Sequence, residues 1–283
     1  MPSCFLPVDF DLGRPVAVLA GKGRYPELLL ERLRAASIPV KLVAFVGETS
    51  LELAGTFPEE DITWIKVGQL GHLLDALKRH RAAYSIMAGQ ITPRRLFKGL
   101  VPDIKAIQIL ASLKEKNADT IFGALAEEIS NTGITPLDAR VFLDDQLATP
   151  GSMTSWRSGM DFRELSHGIR IAKECARLNI GQGVVVCNGT TIAVEAFEGT
   201  DKMLRRCIDT GAKNPLFVKT VKPRQDYRFD VPCFGLQTLE SMEKGGVRRA
   251  ALEASSVLLL DKADVIARAR ELGITLYGYT AKD

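Results

Sequence analysis

The densest run of reactive side chains is Lys219-Thr-Val-Lys222-Pro-Arg-Gln225-Asp226-Tyr-Arg228-Phe-Asp230-Val-Pro232. It follows an apolar stretch, 216–221, that reads as a strand, and loops at strand ends carry the ligand sites of α/β proteins. Asp226 and Asp230 are hard oxygen donors suited to Mg²⁺ or Mn²⁺. Lys and Arg can offset the charge of a diphosphate, and Lys222, Gln225 and Arg228 are expected around one, with Asp226 holding a metal or orienting the attacking water. Charge runs are usually solvated loops, but both signs are dense here, and Pro223 and Pro232 stiffen the two ends. A second acidic stretch with Glu195, Glu198, Thr200 and Asp201 comes directly off another strand; Thr200 or Asp201 could equally be a helix N-cap, and for Asp201 capping alone is a complete explanation. A third feature is the turn Gly21-Lys22-Gly23, where backbone N–H groups and a helix N-terminus accept phosphate. Pro26 replaces the third glycine of a dinucleotide fingerprint and no GK[ST] follows, so plain turn chemistry explains it equally well.

Other chemistries lack their parts. His72, His80 and His167 belong to no HExxH, and there is no GxSxG elbow. The five cysteines have no metal-ligand spacing, which fits scattered reduced thiols. Thirty-seven basic and 34 acidic residues leave a net charge of +3, too little to suggest a nucleic-acid binder. No run approaches the roughly 20 apolar residues of a membrane span, and the N-terminus lacks a basic n-region, so a cytoplasmic protein is expected. Arg94, Arg95 and Lys98, with Leu96 and Phe97, allow at most peripheral contact with the cytoplasmic face of an inner membrane.

The elements that must position these residues alternate in type. Apolar runs at 15–20, 40–46, 62–67 and 84–88 read as strands, the last ending at Gly89-Gln90. Helical patterns at 27–33 and 70–81 separate them, which is the rhythm of a parallel sheet with helices on its faces. Helices follow at 105–117 and 119–130, and 137–143 reads as a returning strand. After the polar, turn-rich stretch 144–158, a helix at 163–178 leads into strands at 183–187 and 191–197. Asn188-Gly189 between them is a hairpin signal. Strands at 216–221, 256–260 and 275–279 and a helix at 262–272 complete a second unit. The expected architecture is α/β: an N-terminal Rossmann-like parallel sheet (1–143), a linker (144–158) and a C-terminal mixed α/β catalytic domain (159–283). With the glycine turn in one domain and Asp226 in the other, a shared substrate would lie at their interface, with a hinge in the linker.

Four stretches together carry a resemblance: Val18-Leu-Ala-Gly-Lys-Gly-Arg-Tyr-Pro26, Ile192-Ala-Val-Glu-Ala-Phe-Glu-Gly-Thr-Asp201, the Lys-Pro-x-Gln-Asp-x-Arg run around Asp226, and Leu258-Leu-Leu-Asp261. The chain resembles, over nearly its whole length, the UDP-2,3-diacylglucosamine pyrophosphatases of lipid A biosynthesis, the type unrelated to calcineurin-like phosphoesterases. The resemblance implies a two-domain hydrolase, Mg²⁺- or Mn²⁺-dependent, that cleaves the substrate to UMP and 2,3-diacylglucosamine 1-phosphate. It implies an essential Asp226, with substrate contacts expected from Gly21, Lys22, Gly23, Gly89, Gln90, Glu195, Glu198, Thr200, Asp201 and Lys219. Tyr25 departs from the small aliphatic residue usual before the proline. Two acyl chains call for an apolar recess. A homodimer stays open. The runner-up is a nucleotide-sugar-binding regulatory protein without turnover; an NAD-dependent oxidoreductase is disfavoured by the incomplete glycine turn.

Overall fold

The computed structural model describes residues 3–92, 102–154 and 160–280, so the basic cluster at Arg94, Arg95 and Lys98 lies outside the described residues. The chain forms two compact units: Met1–Asp144 with Asp226–Asp230, and Asp145–Gln225 with Val231–Asp283.

The first unit runs β1 (Val16–Ala20), α1 (Arg24–Ala35), β2 (Val40–Phe45), α2 (Leu51–Ala54), β3 (Ile62–Ile65), α3 (Leu70–Arg79), β4 (Tyr84–Ala88), α4 (Ile104–Ser112), α5 (Ala118–Ser130) and β5 (Thr135–Pro136). The strands are all parallel, in the order β3-β2-β1-β4-β5, as expected for the Rossmann-like half. β1 and β4 are buried along their whole length, which is why both are continuous apolar runs. Leu73, Ala76 and Leu77 of α3 and Leu125, Ala126 and Ile129 of α5 pack with Ala17, Leu19 and Val43 of the sheet. The strand order reverses between β1 and β4, so the ligand crevice of such a sheet lies beyond Ala20 and Ala88.

Two expectations fail in this unit. Residues 137–143 are no strand: Leu137, Ala139, Val141 and Leu143 are all buried, but in an irregular turn with Phe142 at φ 63°. A period of two in burial arose from a packed loop. The segment carrying Asp226 was expected in the second domain, yet Asp226–Asp230 packs with the first unit. The glycine turn and Asp226 therefore belong to the same unit.

The second unit runs β6 (Gly151–Ser152), α6 (Phe162–Arg177), β7 (Gly183–Cys187), β8 (Thr190–Val194), α7 (Thr200–Arg205), β9 (Leu216–Lys219), β10 (Cys233–Phe234), α8 (Leu236–Lys244), β11 (Arg249–Glu253), β12 (Leu258–Leu259), α9 (Lys262–Glu271) and β13 (Thr275–Tyr279). Its six-stranded mixed sheet has the order β6-β13-β11-β9-β7-β8, with β9, β11 and β13 parallel. β10 and β12 form a separate two-stranded pair. The β7–β8 hairpin turns at Asn188 and Gly189, both at positive φ, as that dipeptide allows. On one sheet face Val184, Val186, Leu216, Val218 and Ala251 pack with α6; on the other, Val185, Phe217 and Leu252 pack with Met203, Leu239, Val265 and Ala269.

The expected linker is largely built into this unit. Leu147 bridges to Leu258 and Gly151–Ser152 pairs with β13, where a side chain at Gly278 would collide with the Thr149 carbonyl. Residues 155–159 lie outside the described set. β11 was not foreseen, although it is flanked by β9 and β13. Its ends, Arg249 and Glu253, are both buried and both paired to α6: Arg249 to Glu164 at 2.6 Å and Glu253 to Lys173 at 2.7 Å. Breaking one partner of a buried pair leaves the other charged and desolvated. Arg249→Met is therefore expected to cost about 3–5 kcal/mol by urea denaturation, because Glu164 stays buried without its guanidinium.

Candidate active site

Asp226–Asp230 is a five-residue strap wound into a single turn, with the Asp230 and Phe229 amides donating to the Asp226 carbonyl. Its side chains divide the work. Arg228 donates to the Asp226 carboxylate from its backbone N–H (3.1 Å), Nε (3.0 Å) and Nη2 (2.7 Å). Its remaining fork nitrogen, Nη1, donates to Glu127 of α5 at 2.9 Å. Burial opposes ionisation of Asp226, but the hydrogen bonds and charge of Arg228 outweigh it and hold the carboxyl below the usual aspartate range. In return, chiefly through the Asp226 bond, the guanidinium is held more firmly protonated than usual.

Tyr227 faces a different partner set. Its carbonyl accepts from the Ala139 N–H at 2.8 Å, and its ring lies 3.4 Å from the Arg140 guanidinium carbon. The Tyr25 hydroxyl donates to the Ala139 carbonyl, so the residue that departs from the expected pattern steadies the loop holding the strap. Phe229 stacks on Phe122 of α5, with centroids 6.1 Å apart. Phe122 in turn lines a small, open apolar recess together with Val67, Leu70, Leu73, Leu110 and Leu125. No polar side chain is among the described residues that line it.

In the crevice of the same unit, the expected glycines meet. The Lys22 N–H donates to the Gln90 carbonyl and the Gln90 N–H to the Lys22 carbonyl, zipping the ends of β1 and β4 together. A Cβ at Gly21 would lie 2.7 Å from the Gln90 carbonyl oxygen, and one at Gly89, at φ +90°, would lie 2.8 Å from that of Lys22. Close backbone approach thus explains both glycines. Gly23, at φ +97°, has open space around it and precedes α1 without a side-chain cap. Lys22 Nζ donates to Thr92 at 3.0 Å, and Thr92 to the buried carboxylate of Glu48 at 2.9 Å.

In the second unit the expected residues fall into three groups. Gln225 accepts from the Lys222 N–H at 2.9 Å and from Gln182 at 3.1 Å, closing the loop that runs into Asp226. Buried Lys219, ending β9, donates to Thr200 at 3.0 Å and lies 3.7 Å from Glu195, while Thr200 donates to Glu195 at 2.6 Å. Asp201 is half-buried, and burial pushes its carboxyl up. The capping explanation does not hold: Gly199 is the N-cap of α7 and no side chain caps it. Glu198 stands apart, paired with Arg206 at 3.0 Å. Asp230 is one turn from Asp226 in the strap. Among the described residues no three His, Cys, Asp or Glu side chains gather as a metal cage.

Sequence reasoning missed Glu127, Arg140, Tyr227 and Phe229, which hold the strap, and Glu253, which holds the loop before it. The Glu253 carboxylate accepts from the Thr220 hydroxyl (2.7 Å), the Val221 N–H (2.9 Å) and Lys173 (2.7 Å). The alternation of Tyr227 and Phe229 with the charged residues was the one local signal available.

Residues 15–146 match the family model of the LpxI N-terminal domain, and residues 150–277 that of the LpxI C-terminal domain. The chain belongs to the LpxI family. A curated LpxI, the UDP-2,3-diacylglucosamine pyrophosphatase of Caulobacter vibrioides, is 28% identical over 279 residues, covering 94% of this chain and 97% of that protein. The two LpxI models meet between residues 146 and 150, close to the first crossing between units at Asp144 and Asp145. Neither unit contains, among the described residues, a helix long and apolar enough to cross a membrane.

The Asp226–Arg228 pair of this LpxI chain has a testable titration. Arg228→Met leaves burial as the main influence on the carboxyl, so its pKa rises above the usual aspartate value of about 3.9 instead of lying below it. In the wild type, the pair's contribution to stability is intact above about pH 3.9 and is lost as pH falls through the lower folded value. Carbon-13 NMR titration of the Asp226 carboxyl in both proteins reads the shift directly.

Proposed function

We propose that this chain hydrolyses the diphosphate of UDP-2,3-diacylglucosamine, releasing UMP and 2,3-diacylglucosamine 1-phosphate, as a step of lipid A biosynthesis. One observation carries the reading: the strap that presents Asp226 is packed, through Phe229 on Phe122, against the wall of the apolar recess. A substrate with a diphosphate close to two acyl chains needs an anion-handling carboxylate–guanidinium pair and a dry volume near each other. Each CH₂ the recess takes from water is worth about 0.8 kcal/mol of binding. The family membership and the activity for which the Caulobacter vibrioides relative is named support the same reading.

Mg²⁺ or Mn²⁺ is part of the proposal. A magnesium ion needs only one or two protein carboxylates beside substrate oxygens and water, so the donor set of Asp226 and Asp230 fits it without a larger cage. Such an ion supplies neutralisation of phosphoryl oxygens and a more acidic bound water. The chain's own residues do the rest. Asp226 is ionised at neutral pH and so is ready to bind a cation or accept a proton from water. The Arg228 fork matches phosphate as well as carboxylate, so an arriving diphosphate competes for it and frees lone pairs on Asp226. Lys222 and Gln225, just ahead of Asp226 in the chain, are assigned to the diphosphate oxygens. Lys219, Thr200, Glu195 and Asp201 are assigned to polar groups of the nucleotide or sugar, and the glycine turn to phosphate or sugar.

Asp226→Asn keeps the shape and removes the charge. UMP release from UDP-2,3-diacylglucosamine is expected to fall by about a hundredfold or more in a folded Asp226→Asn protein. Wild-type turnover would remove Asp226 from the chemistry. EDTA is expected to stop turnover and added Mg²⁺ or Mn²⁺ to restore it, whereas metal-independent binding without product would favour the non-catalytic binder. Leu110→Gln, at the recess, is expected to raise KM for the diacyl substrate severalfold with a smaller effect on kcat.

A further inference from the structure

Residues 3–14 precede the segment matched by the family models, which begins at residue 15. They have no regular secondary structure, yet they are pinned at several points. The Cys4 N–H donates to Asp144 at 2.8 Å, and the Asp11 N–H to the Tyr84 hydroxyl at 2.8 Å. Phe10 packs 4.5 Å from the Tyr84 ring centre and 6.2 Å from that of Phe142.

These contacts set the Phe5 ring 4.0 Å from the guanidinium carbon of Arg140. The same carbon lies 3.4 Å from the Tyr227 ring centre. The edge of the guanidinium is occupied: Nε donates to Asp138 at 3.0 Å and Nη2 to its other oxygen at 2.6 Å. With its plane fixed that way, the cation presents its faces to the two rings, the arrangement in which an arginine attracts aromatic electrons. Tyr227 stands between Asp226 and Arg228 in the strap, and its carbonyl is held by the neighbouring Ala139 N–H.

We propose that Phe5 is a positioning residue: through Arg140 it fixes Tyr227 and thereby the strap that presents Asp226. The proposal depends on the role assigned above to Asp226. Phe5→Leu keeps the apolar contact and removes the π face, Phe5→Tyr keeps both, and fully exposed Val8 serves as a control on the same arm through Val8→Ala. In the full chain, Phe5→Leu is expected to lower kcat by about two- to five-fold, the rate equivalent of one cation–π contact. KM and Tm should stay near wild type, Phe5→Tyr should restore kcat, and Val8→Ala should change nothing. Hydrogen exchange supplies a readout independent of activity: the amides of Arg228, Phe229 and Asp230 should exchange faster in Phe5→Leu but not in Phe5→Tyr. Arg140→Lys, which keeps the charge but loses the planar fork, should show the same pattern more strongly.

Wild-type kcat or wild-type strap exchange in Phe5→Leu would overturn the proposal. So would a loss shared equally by Phe5→Tyr, or one that appears only with a matching fall in Tm, since either marks a packing anchor. If Asp226→Asn stays active, the hydrolytic reading fails by itself, and the exchange pattern still decides whether Phe5 fixes the strap.

Discussion

A carboxylate buried at the end of β11 organises the approach to the site. Glu253 is 5% exposed, and a charge in that position persists only if its acceptor capacity is filled. It is filled by Lys173 and by the two residues that follow β9, Thr220 and Val221. Lys173 also reaches the Val221 carbonyl at 3.3 Å, so the N–H and the C=O of this one residue are gripped by opposite charges. Where β9 ends and how the chain leaves it are thereby fixed. From that root the loop closes on Gln225 and the chain enters the strap. Its own burial, and then the charge of Glu253, push the Tyr279 hydroxyl far above its ordinary pKa, and that hydroxyl donates to the Lys219 carbonyl at the end of β9.

Most of the first unit was legible because its central strands, β1 and β4, are buried along their whole length and its helices carry clean amphipathic spacing. The sequence pattern located β1 and β4 to the residue or nearly so, and the Asn188-Gly189 hairpin followed from backbone conformation alone. β11 was illegible for a physical reason. Arg-Ala-Ala-Leu-Glu is a helix former's composition, and charged ends argue against a strand flanked by two others. Only the pairing of Arg249 and Glu253 with α6 makes those charges tolerable, and that pairing joins residues about 80 positions apart. The turn at 137–143 misled in the opposite sense, since its alternating apolar residues are buried by packing without a ladder.

At the site, local chemistry was readable and its supports were not. Asp226, Arg228, Lys222 and Gln225 stand out by type and crowding, and they pair as neighbours within the loop do. What holds them comes from far along the chain: Glu127 on α5, Arg140 in a loop, Glu253 on an unseen strand. A single sequence has no signal for such partners. Even the location of Asp226 was misjudged on these grounds, because sequence order placed it among strands of the second unit while Phe229 and Tyr227 found their contacts in the first.

The strap also bears on how the chain is made. Synthesis delivers residues 1–144 first, with all five strands of the parallel sheet present, and domains ordinarily fold as they emerge. Here the Ala139 amide and the Phe122 ring wait for Tyr227 and Phe229, which follow most of the second unit off the ribosome. A contact of such long sequence separation cannot form early, so the first sheet must persist for a time with an uncovered aromatic and an unmet amide. The unit that begins the chain is finished only after β6 to β9 of the second have been made, with β11 and β13 still to come.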